Sequence, residues 1–354
     1  MHTSLNIAIA NEGQGVGIYI PKRIVTNFEL AEMFEANNVR TKSGQILTAE
    51  WMEEHVGLRK RHWAAEDEFS SHLGVKACVK AIAEAGVDLR DLDLIRVGSS
   101  SPDCVYPGLS CLIQNGLVKH NEPKLSLDAV DVSGACTSGL HALIAAKQSI
   151  LDNHDYRFGL AVGAETMSKV IDFNDPNSQL WGDGAGAVVL EKTQEDRGIV
   201  CSIFGSTPEA CGSAESVGLG VKFINQNIVS NAFLIGSEVQ RFVLKTLEDI
   251  IPQTIRKANR ILGMQGKNSI ALNDVKMFAL HQANGTIFNF PSRKLGIPLD
   301  KFYVNFGEYG NTSSASVLIC LTEMIQKRFV KCGDLVMLVA FGAGLTWGSV
   351  LLRI

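Results

Sequence analysis

The chain has 354 residues, too long for one ordinary small domain and suited to two fused halves or one large α/β enzyme. Apolar residues make up 46% and charged residues 20%, which excludes bulk disorder, and a net charge of −4 gives no general pull toward nucleic acid or an anionic membrane. The longest nearly unbroken apolar run, Leu335 to Leu345, is too short for a bilayer, which needs about 20 residues. No secretory signal is read in the N-terminal MHTSLNIAIANEGQG. The eight cysteines form no CxxC pair and several lie inside apolar runs, which points to reduced thiols and a cytoplasmic location, without a disulfide framework or a zinc site.

In chain order, residues 37–50 are polar and aperiodic and read as a surface insertion. Ser71 to Ala85 is an amphipathic helix stopped by Gly86. Four short apolar runs, 92–99, 125–133, 157–165 and 186–191, read as buried strands, with a helix over 136–153 between the second and third. Residues 205–231, rich in Gly, Ser and Asn, read as loops or short strands, and Val239 to Leu262 as a helix broken or kinked at Pro252. A second series then repeats the order of the first: strands at 275–282, 302–307, 334–342 and 347–354, with a helix over 311–329. Strand, strand, helix, strand, strand occurring twice predicts a duplicated α/β architecture. Its halves are placed at 1–195 and 196–354.

Three residues stand at junctions of this pattern. Cys136 follows a strand through Ser133, Gly134 and Ala135 and opens a helix, where the dipole and free N–H groups favour a thiolate. His281 ends the strand VKMFALH, and Asn311 precedes the helix of the second series. An inert buried thiol, a core histidine and an N-cap asparagine are the ordinary alternatives. A cysteine nucleophile with a histidine and an amide also suits acyl transfer through a thioester. Cys136 and Asn311 stand at equivalent points of the two series, which would set them face to face across a pseudo-dyad.

Five motifs, GACTSGLHAL around Cys136, WGDGAGAVVLE (181–191), HQANGTIFN (281–289), GNTSSASV (310–317) and AFGAGLTWGS (340–349), occur in order along the chain. Together they resemble the β-ketoacyl-acyl carrier protein synthase III family of the thiolase superfamily, from about Gly17 to Ile354. The GDGAGA piece leads into a strand and not a helix, so a dinucleotide loop is not indicated.

The resemblance implies a thiolase-like five-layer αβαβα fold, a homodimer and a Cys136-His281-Asn311 site that uses no cofactor or metal. It implies that Cys136 takes an acyl group from acyl-CoA, with the oxyanion held by the backbone N–H groups of Cys136 and Ala343. His281 and Asn311 would then stabilise the enolate left when a malonyl thioester on acyl carrier protein loses carbon dioxide. Trp51 would stack on the CoA adenine, Asn284 would line the pantetheine tunnel, and Phe341 is placed with the substrate contacts. Tyr106 would reach the partner subunit's acyl pocket, and Arg293 and Lys294 would dock the carrier protein. Departures from the family pattern are His55 and Thr286 at positions where arginine is common, GEYGN before the helix of the second series, and an insertion ahead of Trp51. They suggest a diverged member, and they keep open an alternative: the same fold condensing without decarboxylation, or moving an acyl group to another acceptor. A papain-like peptidase shares the distance from cysteine to histidine but not the local cysteine signature.

Overall fold

The structure is a computed structural model that describes residues 5–41, 43–118, 126–207, 219–220, 233–234 and 236–354. The N-terminal part runs β1 (Asn6–Ile9), β2 (Val16–Tyr19), β3 (Arg23–Thr26), α1 (Asn27–Ala36), α2 (Ala49–Val56), β4 (Lys60–Trp63) and α3 (Ser70–Ala85). It continues with β5 (Leu92–Gly98), α4 (Leu109–Leu117), β6 (Asp128–Val132), α5 (Ser138–Asp152), β7 (Phe158–Thr166) and β8 (Asp183–Thr193). Then come β9 (Gly198–Ser206), the short β10 (Leu219–Gly220) and β11 (Phe233–Leu234), α6 (Gly236–Met264) and β12 (Val275–Leu280). The chain closes with α7 (Asn289–Leu295), α8 (Phe306–Tyr309), α9 (Ser316–Gln326), β13 (Leu335–Gly342) and β14 (Thr346–Arg353).

Two sheets form the frame. One has the order β1-β8-β7-β5-β6, with β2 also on β8; the other has β12-β13-β14-β9. In the first sheet β6, β5 and β7 are parallel and β8 is antiparallel to β7; in the second, β12 and β13 are parallel and β14 is antiparallel. Alternate residues of β13 face opposite ways into apolar cores. Val336, Leu338 and Ala340 pack with α5 and α9, and Met337 and Val339 pack with α6. Likewise Ala161 of β7 faces α5 and α9, while Leu160 and Val162 face α3 and α4. Strands buried on both faces read as continuous apolar runs, which is why they are legible in the sequence. The layers are therefore α3 and α4, a sheet, α5 and α9, a sheet, and α6.

The halves meet closely in the middle layer. A Cβ built on Gly139, in the first turn of α5, would lie 2.2 Å from the carbonyl oxygen of Ser314, so only glycine fits there. A single 3-10 turn precedes each central helix, Ala135–Thr137 before α5 and Ser313–Ala315 before α9. Both turns start on a non-glycine residue with positive φ, 51° at Ala135 and 45° at Ser313. The shared geometry pairs Cys136 with Ser314, and Asn311 stands three residues ahead of that point.

Three local expectations change. Residues 302–307 do not form a strand: they keep one isolated bridge to β12, between Phe302 and Phe278. The reason is Gln282, whose Oε1 accepts from the N–H groups of Asn305 (3.0 Å) and Phe306 (3.1 Å), donors that a ladder would need. α6 runs through Pro252 without a break. The insertion at 37–50 is anchored, because Val39 and Leu47 are buried with Leu30, Phe34 and Met52. Of the remaining expectations, Leu125 and most of 205–231 lie outside the described residues.

Candidate active site

Cys136 occupies the 3-10 turn between β6 and α5, 3% exposed, at the wall of a cavity of about 330 Å³. His281 follows the last residue of β12 and extends its pairing, its N–H donating to Val339 O at 2.8 Å. Asn311 lies between α8 and the turn that leads into α9, and its backbone is stitched to the loop ahead of β8. Asn311 N–H donates to Leu180 O (2.7 Å), and Gly182 N–H donates to Asn311 O (3.1 Å). All three side chains line the same cavity.

Asn311 is oriented by its neighbour: its Oδ1 accepts from Ser313 N–H at 2.8 Å, which leaves the Nδ2 hydrogens as its donors for a group in the cavity. His281 is 1% exposed, its Nδ1 lies 2.7 Å from Ser316 Oγ, and burial pulls its pKa down to about 3, so the ring is neutral. Phe341 meets this ring edge-on at 5.2 Å. Burial also pushes the Cys136 thiol up to about 12; a hydrogen bond from Ser313 pulls the other way, and the charge of Glu165 adds to the rise. Burial therefore opposes the thiolate that the helix terminus favours in the sequence reading.

Glu165, at the end of β7, is wholly buried beside this group. Its carboxylate accepts from the N–H groups of Ser100 (2.8 Å) and Ser314 (3.2 Å) and from the hydroxyls of Ser101 and Ser314. Burial raises its pKa and these donors oppose the rise. Sequence reading missed Glu165, Ser100, Ser313 and Ser316. Only the run of serines near Asn311 hinted at them.

The mouth of the cavity carries Trp51, Asn284 and Thr286. Thr48 caps α2 by accepting from Trp51 N–H (3.1 Å), and Gly57 ends the helix in the left-handed region, which fixes where the indole points. His55 stacks on that indole at 4.9 Å and 9°. Thr286 donates through its N–H and hydroxyl to Asn284 Oδ1, at 2.7 and 2.8 Å, and so orients that side-chain amide. Glu308 of GEYGN forms ion pairs with both Arg59 and Lys60.

Phe341 and Ala343 line the cavity, and the chain between them passes against the nucleophile: a Cβ on Gly342 would lie 2.8 Å from Cys136 N. Tyr106 is not in this cavity and is 88% exposed. Arg293 and Lys294 sit exposed in the last turn of α7, with Lys294 3.2 Å from Glu248. Among the described residues no His, Cys, Asp and Glu side chains group as a metal site, and no helix is long and apolar enough to cross a membrane.

Two sheets sandwiching paired central helices, with cysteine, histidine and asparagine converging at their N-terminal ends, define a condensing enzyme of the thiolase fold. Residues 130–208 match the family described as 3-oxoacyl-[acyl-carrier-protein] synthase III, and residues 266–354 match its C-terminal family. The β-ketoacyl-[acyl-carrier-protein] synthase III of Xanthomonas campestris pv. campestris is 34% identical over 96% of this chain and 97% of that protein. The crystal structure of 3-oxoacyl-[acyl-carrier-protein] synthase III from Aquifex aeolicus superposes with a TM-score of 0.81 at 30% identity, covering 99% of this chain and all (100%) of that one. The priming β-ketosynthase from the R1128 polyketide pathway gives a TM-score of 0.80 at 29% identity, covering 98% and 96% of the two chains. The chain belongs to the β-ketoacyl-acyl carrier protein synthase III family and is an acyltransferase of that type.

Proposed function

We propose that Cys136 is acylated by an acyl-CoA primer and that the acyl group is then condensed with a malonyl thioester on acyl carrier protein, with loss of carbon dioxide. The observation that carries this reading is the placement of Cys136, His281 and Asn311 on one cavity whose mouth holds Trp51 and Asn284. In the tautomer in which Nδ1 accepts from Ser316, the His281 proton stands on Nε2, and His281 and Asn311 would each offer a neutral donor to the malonyl carbonyl. Two such donors stabilise the enolate formed as carbon dioxide leaves. The enolate carbon attacks the acyl thioester, and the Cys136 sulfur departs. The N–H groups of Cys136 and Ala343 hold the oxyanion in both tetrahedral steps.

The reading extends to a cytoplasmic homodimer in which Tyr106 enters the partner's acyl pocket, and to halves divided at 1–195 and 196–354. Its supports are the free cysteines of the described chain, the exposure of Tyr106, and the parting of the two sheets between Thr193 and Gly198.

Intact-mass spectrometry after incubation with a panel of acyl-CoAs is expected to show a single acyl adduct that Cys136→Ser abolishes. No adduct with any primer, or an adduct that survives the substitution, overturns the reading. Carbon dioxide release equal to product supports decarboxylative condensation; product without release supports the alternative of a non-decarboxylating acyltransferase.

A further inference from the structure

We propose that Ser313 is a further catalytic residue: its hydroxyl, itself hydrogen-bonded by Ser100, stabilises the Cys136 sulfur as the thiolate that attacks the primer. The inference rests on Cys136 being the nucleophile.

Ser313 Oγ donates to Cys136 Sγ at 3.4 Å. Because that hydrogen is committed to sulfur, the 3.0 Å contact between Ser100 Oγ and Ser313 Oγ has Ser100 as donor. The result is a chain of two hydroxyls ending on the reacting atom, each bond polarising the next. A negative sulfur in a buried site is favoured by such a donor, the more so because burial keeps the His281 ring uncharged.

The backbone is arranged to hold this contact. Ser313 has φ of 45°, a conformation that costs free energy in a residue with a Cβ and persists only where the surroundings impose it. Asn311 Oδ1 holds the Ser313 N–H, and Glu165 holds the N–H groups of Ser314 and Ser100 on either side of the hydroxyl pair. Glu165 and Asn311 thus act on the sulfur as positioning residues, through the serines. The charge of Glu165 itself raises the thiol pKa, so whatever it contributes to the thiolate passes through the serines it holds. In the transfer, a C–S bond forms from Cys136 to the acyl carbon, the C–S bond to CoA breaks, and the proton given up by Cys136 ends on the CoA sulfur. No other reactant is required.

The test is iodoacetamide alkylation of Cys136, followed by peptide mass mapping of the full-length protein between pH 7 and 9, for wild type, Ser313→Gly and Ser100→Ala. Below the thiol's pKa the alkylation rate follows the thiolate fraction, so each unit of pKa is about a tenfold change. Ser313→Gly removes the hydroxyl and also relieves the positive φ; it is expected to slow alkylation about tenfold or more at every pH. Ser100→Ala, which leaves the Ser313 backbone untouched, is expected to slow it less. Rates equal to wild type in Ser313→Gly, or in Ser100→Ala should the first variant not fold, overturn the proposal. Alkylation reads the sulfur without any primer, so a failure of Ser313 here is distinct from a failure of acyl-CoA to load Cys136.

Discussion

His281 is held neutral by burial, which governs how the site responds to acid. Its pKa falls from 6.5 to about 3, so between those values the unfolded chain binds a proton that the native imidazole refuses. Stability is therefore lost through this group as pH falls below 6.5, and none is lost through it as pH rises. The corresponding kinetic prediction is that decarboxylation shows no acid limb near pH 6.5 and continues into the range where the fold itself fails, as measured by carbon dioxide release across pH. His281→Ala is expected to leave acylation of Cys136 intact and to cut carbon dioxide release by about 10²–10³, the usual worth of one donor to a developing oxyanion. Parallel intact-mass and carbon dioxide measurements separate the two half-reactions. Equal loss in both would place His281 in the priming step instead.

Among the elements, the end of β13 and the turn before α5 are fitted to each other. A methyl at position 342 would sit 2.8 Å from Cys136 N, against backbone that cannot rotate away. Gly342→Ala is expected to push the Ala343 N–H out of line with the Cys136 N–H and to slow acylation about a hundredfold or more while the protein stays folded, as read by acyl-adduct formation and thermal melting. The same level shows what sequence reading captured. β5, β7, β12, β13 and β14 were legible because burial on both faces leaves apolar runs; Cys136 stands where a strand meets a helix, His281 ends such a run, and Asn311 stands ahead of a helix. The 302–307 segment carried the same signal in Phe302, Val304 and Phe306, yet its ladder donors are taken by Gln282, a tertiary contact that no local pattern encodes. The thiolate expectation used only the local helix terminus, whereas the burial that pushes the Cys136 thiol up comes from the whole fold.

For the molecule as a whole, basic side chains differ in how they are paired. Arg59 and Lys60, after α2, are both paired with Glu308, while Arg293 lies exposed on α7 with no carboxylate among its described hydrogen bonds or ion pairs. The charge reversals Arg293→Glu and Lys294→Glu together are expected to raise KM for malonyl-acyl carrier protein about tenfold or more at low salt, less at high salt, with acyl-CoA loading unchanged. Steady-state kinetics at two ionic strengths check this; an equal rise in KM for acyl-CoA would remove α7 from the docking face. The expectation for Tyr106 rests on family resemblance alone; the structure shows the side chain 88% exposed and outside the cavity.

The interlock at the middle layer makes each helix entrance depend on the other. Ser313, from one half, touches the sulfur of the other, and Glu165, from the half that carries the sulfur, fastens Ser314 in return. Neither half alone supplies both the sulfur and the hydroxyl that touches it, so the surroundings of this thiol exist only where the two are packed together.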